Sequence, residues 1–81
     1  MEYCYRQEVI DKLVRHGIRP RPTTRPELVR EFVNDLYCYE LRRLRAQLLR
    51  NEFPKNTYAA RVVELRDRYS VLALTPLQFI E

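Results

Sequence analysis

Residues 24–54 read TRPELVREFVNDLYCYELRRLRAQLLRNEFP, and this stretch decides the fold. Between Pro26 and Pro54 it contains neither glycine nor proline, so nothing in it interrupts a helix. Val29, Val33, Tyr37, Leu41, Leu44 and Leu48 recur at steps of 4, 4, 4, 3 and 4. That is the period of one face of an α-helix. Leu28, Phe32, Leu36 and Tyr39 widen the face near its start, and Leu49 and Phe53 widen it near its end. The surface is broader than a two-stranded coiled coil needs, which implies contact with more than one neighbour. Thr24 at the N-cap and Glu27 three positions later fit a capping box, with Pro26 in the first turn. The spacing predicts a helix over residues 25–52, about 40 Å long at about 1.5 Å per residue.

On the N-terminal side, Val9, Ile10, Leu13 and Val14 form a second amphipathic stripe, which Tyr3, Tyr5 and Arg6 extend backward. Glu2 and Arg6, Glu8 and Lys12, and Asp11 and Arg15 are acid-before-base pairs four apart. Gly17 follows His16 where a helix takes its left-handed closing residue. A first helix over about residues 2–16 is expected. Pro20 and Pro22 then make residues 17–23 a stiff connector. On the C-terminal side, Asn56 or Thr57 can cap a third helix. Tyr58, Val62, Leu65 and Tyr69 step by 4, 3 and 4, placing it over about residues 56–69. The connection from the long helix is short, so the two are expected to form an antiparallel hairpin. Residues 70–81 are an apolar tail broken by Pro76.

The fold class expected is therefore all-α: three helices with a long central one, a hairpin of the second and third, and an apolar C-terminal tail. A single glycine in 81 residues argues against an all-β chain, whose tight turns need positive φ. The apolar fraction of 46% is too high for a disordered segment. Eighty-one residues make one domain, short enough that such chains often add a metal, a disulfide or a partner. No apolar run approaches the roughly 20 residues of a membrane span, and the N-terminus lacks the pattern of a secretory signal. A soluble chain in the cytoplasm, without membrane contact, is the expectation.

Residues 41–65 resemble a SHOCT-type short helical hairpin. Leu41, Leu44 and Leu48 stand for its leucines, and Leu65 for a closing leucine. Asn51 stands where that pattern has glycine, Phe53 where it has isoleucine, Tyr58 where it has phenylalanine, and Pro54 replaces its capping threonine. The resemblance implies a small oligomerisation or interaction module rather than a catalyst. Tyr-Cys-Tyr occurs at residues 3–5 and again at 37–39, a separation equal to the tetratricopeptide period. The rest of that pattern is missing, and no third copy follows.

Candidate chemistry is sparse. Cys4, Cys38 and His16 are too scattered for a metal-ligand motif, and two reduced, mostly buried thiols are expected. Glu27, Glu31 and Asp35 line up at four-residue steps on the long helix without a matching histidine. No catalytic, cofactor or metal site is expected. Two basic runs stand out: Arg19, Arg21 and Arg25 around the connector, and Arg42, Arg43, Arg45 and Arg50 on the second half of the long helix. With a net charge of +4 and six tyrosines, they are the candidate contacts for nucleic acid. The leading expectation is different: a non-enzymatic interaction or assembly module that forms a homodimer or takes a protein partner. Its interface would comprise Leu28, Phe32, Leu36 and Tyr39 of the long helix with Leu74, Leu77, Phe79 and Ile80 of the tail.

Overall fold

A computed structural model describes residues 2–81, and in it the long apolar pattern is one continuous helix, α2 (Pro26–Leu49). A shorter helix, α1 (Gln7–Val14), precedes it and α3 (Tyr58–Arg68) follows, joined through a 3₁₀ turn at Lys55–Thr57. The fold is all-α, with no strand among the described residues beyond a single bridge. The molecule measures 49 × 17 × 16 Å.

The proline fixes where α2 begins. Pro26 is the first helical residue, so the cap is the residue before it, Arg25, and not Thr24. Arg25 makes no side-chain cap bond, and Thr24 Oγ1 instead accepts from the Arg21 N–H at 3.3 Å. The capping box expected at Thr24 and Glu27 is therefore absent. One does form at Thr75–Pro76–Leu77–Gln78, where threonine directly precedes the proline and both reciprocal bonds are made. It opens a 3₁₀ turn, Pro76–Phe79, in the tail.

Both ends that needed a left-handed residue have one. Gly17 closes α1 at φ 75°, with the Ile18 N–H bonded to the Leu13 carbonyl and Gly17 N–H to that of Val14. Asn51 closes α2 at φ 58°, with the Glu52 N–H on Gln47 and Asn51 N–H on Leu48. Asparagine tolerates this conformation better than most residues, so it fills the place expected of a glycine.

The first helix is shorter than the expected 2–16. Residues 3–6 are extended, and their burial alternates: Tyr5 is buried while Cys4 and Arg6 are exposed. Aromatic residues suit that geometry, and the backbone finds partners there that a helix would deny it. Tyr5 and Ile80 form an antiparallel bridge, the Arg6 N–H donates to the Phe79 carbonyl at 2.9 Å, and the Glu81 N–H to that of Cys4 at 2.9 Å. The second Tyr-Cys-Tyr lies inside α2. One tripeptide thus adopts two conformations, set by tertiary context, and the two copies are not a structural repeat.

The core joins every part of the chain. Val9 and Leu13 of α1, Val29 and Val33 of α2, Leu65 of α3, and Tyr5, Tyr69, Val71 and Phe79 are buried together. The seam of α2 is thus deepest at its first half, while Tyr37, Leu41 and Leu44 pack at its edge, half-buried. The tail folds back onto its own chain. Arg30 of α2 clamps it, donating from Nε to the Leu74 carbonyl at 3.1 Å and from Nη2 to the Leu72 carbonyl at 2.8 Å. These bonds carry a full charge at the donor and are stronger than neutral ones.

Candidate interaction surface

With the tail folded onto its own chain, one side of α2 is left bare. Leu28, Phe32, Leu36 and Tyr39 are spaced 4, 4 and 3 apart, so they form one row along the helix. They lie beside the buried seam, and each is 38–59% exposed. Isolated exposed apolar residues are ordinary, but a row of four large ones makes this face a candidate interaction surface.

The tail residues expected to share this interface divide differently. Phe79 is wholly buried in the chain's own core, which withdraws it from any interface. Ile80 pairs with Tyr5, and Leu74 is half-buried with its carbonyl held by Arg30. Leu77, at 79% exposure, is the one of the four that stands free. The physical reason is local: the 3₁₀ turn started by Thr75 swings Phe79 into the core and leaves Leu77 outside.

The row borders an open groove of about 680 Å³ between α2 and the ends of α1 and α3. Leu36, Tyr39 and Arg43 supply its α2 wall, and His16 and Tyr69 lie opposite. The His16 ring stacks on Tyr69 with centroids 4.1 Å apart and planes 12° from parallel, and its Nε2 bonds the Arg68 carbonyl at 2.9 Å. The Tyr69 hydroxyl donates to the Glu40 carboxylate. Burial and this acidic partner together push the tyrosine pKa up to about 12. Tyr5 is also raised, chiefly by burial and then by the charge of Glu27; its hydroxyl donates to the Thr24 carbonyl.

The arginines remain in two groups. Arg19, Arg21 and Arg25 are exposed around the connector and the start of α2. Arg42, Arg43, Arg45 and Arg50 are exposed on its second half. Arg25 and Arg42 are separated by about 25 Å along the axis at about 1.5 Å per residue, so the groups do not merge into one basic track. Arg50 is paired with Glu52 at 2.7 Å, the one ion pair among the described residues.

The cysteines and histidine do not converge. Cys4 is exposed, Cys38 is half-buried, and among the described residues no group of three or more His, Cys, Asp or Glu could hold a metal ion. The Cys4 thiol donates to Glu81 Oε2 at 3.4 Å, and this contact raises its pKa. That is opposite to what activates a cysteine nucleophile.

Several of these contacts escaped the sequence reading: the Arg30 clamp, the Tyr5–Ile80 bridge, the His16–Tyr69 stack and the Tyr69–Glu40 bond. Each joins residues far apart in the chain, and periodicity reports only neighbours on one element. The Thr75 box was legible, since threonine, proline and glutamine stand there in capping order. No helix of the described residues is long and apolar enough to cross a membrane. The chain matches no protein-family model, and no curated protein or solved structure matches it.

Proposed function

We propose that this chain is a non-enzymatic interaction module that works in the cytoplasm by associating with a second copy of itself through the exposed face of α2. The observation that carries this reading is the row Leu28, Phe32, Leu36 and Tyr39, left uncovered when the tail folds back on its own core. Covering such a row removes apolar surface from water at roughly 25 cal/mol per Å², the main driving force of association. The resemblance of residues 41–65 to SHOCT-type hairpins supports the same class of work. Two unpaired thiols suit a reducing compartment. Phe32→Glu tests the reading: a charge placed mid-row abolishes self-association while the fold, which does not bury Phe32, survives. A variant that associates as well as the parent chain contradicts it.

A second reading rests on Arg42, Arg43 and Arg45, which are exposed and make no ion pair among the described residues. They could instead track the phosphates of a nucleic acid. Retention on heparin that falls steeply with salt supports that reading, because counterion release makes phosphate binding salt-dependent. No retention at low salt ends it.

A further inference from the structure

The helix that carries the apolar row is electrically divided along its length. Its first half exposes Glu27, Glu31 and Asp35. The cation among them, Arg30, is turned to the carbonyls of Leu72 and Leu74. Its second half exposes Arg42, Arg43 and Arg45, and the acid there, Glu40, is engaged by the Tyr69 hydroxyl. None of these exposed acids and arginines is ion-paired within the chain among the described residues.

Two such helices laid side by side in the same direction would set acid against acid and arginine against arginine. Laid in opposite directions, they set each acidic half against a basic half, and their helix dipoles oppose as well. A two-fold axis produces the second arrangement, since both copies then use the same surface. The residue midway between Asp35 and Arg43 is Tyr39, a member of the apolar row. The same axis sets Phe32 opposite Ala46, a small side chain that leaves room for the ring.

We infer that two copies pair antiparallel through α2 about a two-fold axis near Tyr39, with Asp35 of each copy meeting Arg43 of the other. The inference rests on the self-association reading and adds the direction and register of the pair. Like charges brought together at an interface weaken association, and symmetry makes every substitution count twice.

The test is a charge exchange read by sedimentation equilibrium, with helix content and melting followed by circular dichroism. Asp35→Arg and Arg43→Asp should each weaken self-association by at least about tenfold, and the two together should restore it to within about threefold of the parent. If either exchange fails to fold, Asp35→Asn and Arg43→Gln carry the same test, each weakening association by less. Single exchanges without effect, or a double variant that does not recover, would overturn the antiparallel register. If Phe32→Glu still dissociates the pair in that case, self-association through the row stands and the register alone falls. A parent chain that is monomeric at millimolar concentration overturns both.

Discussion

The hydroxyl of Tyr69 donates to the carboxylate of Glu40, and a face of the same ring carries the stacked imidazole of His16. One side chain at the end of α3 thus ties together α2, the end of α1 and the start of the tail. Tyr69 is buried, and its hydroxyl would have no good partner without Glu40. Its removal should therefore be felt both in stability and in pH dependence.

Tyr69→Phe should cost about 1.5–3 kcal/mol near neutral pH, the range of a hydrogen bond to a charged partner. The sign of the pH effect follows from the raised pKa. The folded protein holds the hydroxyl protonated to about pH 12, whereas an unfolded chain loses that proton near its ordinary value of 10. The contribution is therefore complete below pH 10 and is lost as pH rises through 12. Chemical denaturation of parent and variant across that alkaline range should show the difference between them shrinking.

Phe79→Ala should destabilise the chain by about 3–5 kcal/mol, the cost of a cavity left by a fully buried aromatic ring. Leu77→Ala, two residues away and mostly exposed, should fall within about 0.5 kcal/mol of the parent. Thermal melting of both variants checks that the tail belongs to its own core. Equal effects would contradict it.

Thr75→Ala should cost about 1 kcal/mol, because it removes a cap that accepts a backbone N–H. Thr24→Ala should cost less than about 0.5 kcal/mol, since its one side-chain bond is a long contact to the connector. Denaturant titration of the pair distinguishes two threonines that look alike in sequence.

The contrast shows how far the residues alone could be read. Four-residue spacing from Val29 to Leu48 was enough to place α2, because a continuous helix imposes its period on the chain. The stop signal at Gly17 was local as well, whereas α2 ends at Leu49, short of the expected residue 52, because Asn51 takes the left-handed conformation. Tyr3 to Arg6 could not be read this way. Their pattern satisfies a helix, yet Ile80 and Phe79 offer backbone partners that decide for an extended chain. The fate of the tail was equally hidden, since it depends on Arg30 reaching the Leu72 and Leu74 carbonyls across more than 40 positions. Spacing set Leu28, Phe32, Leu36 and Tyr39 in one row on α2, and all four are exposed, while Phe79 turns into the core, because apolar composition does not say which way a side chain turns.

Gly17→Ala should destabilise the fold by about 1 kcal/mol. An added Cβ meets no atom within 4 Å, so the cost is that of holding a side-chain-bearing residue at φ 75°. Asn51→Gly should be neutral or stabilising by a few tenths of a kcal/mol, since glycine occupies that conformation without strain. Melting temperatures of the two variants should move in opposite directions or, at Asn51, stay put.

The central claim is that the uncovered row on α2 is a surface for a second copy, and sedimentation equilibrium from micromolar to millimolar concentration tests it most directly. The account predicts a mass that rises with concentration from that of one 9.9 kDa chain toward twice that value, and a Phe32→Glu variant that stays at one. A parent chain that keeps the mass of one copy throughout would contradict it.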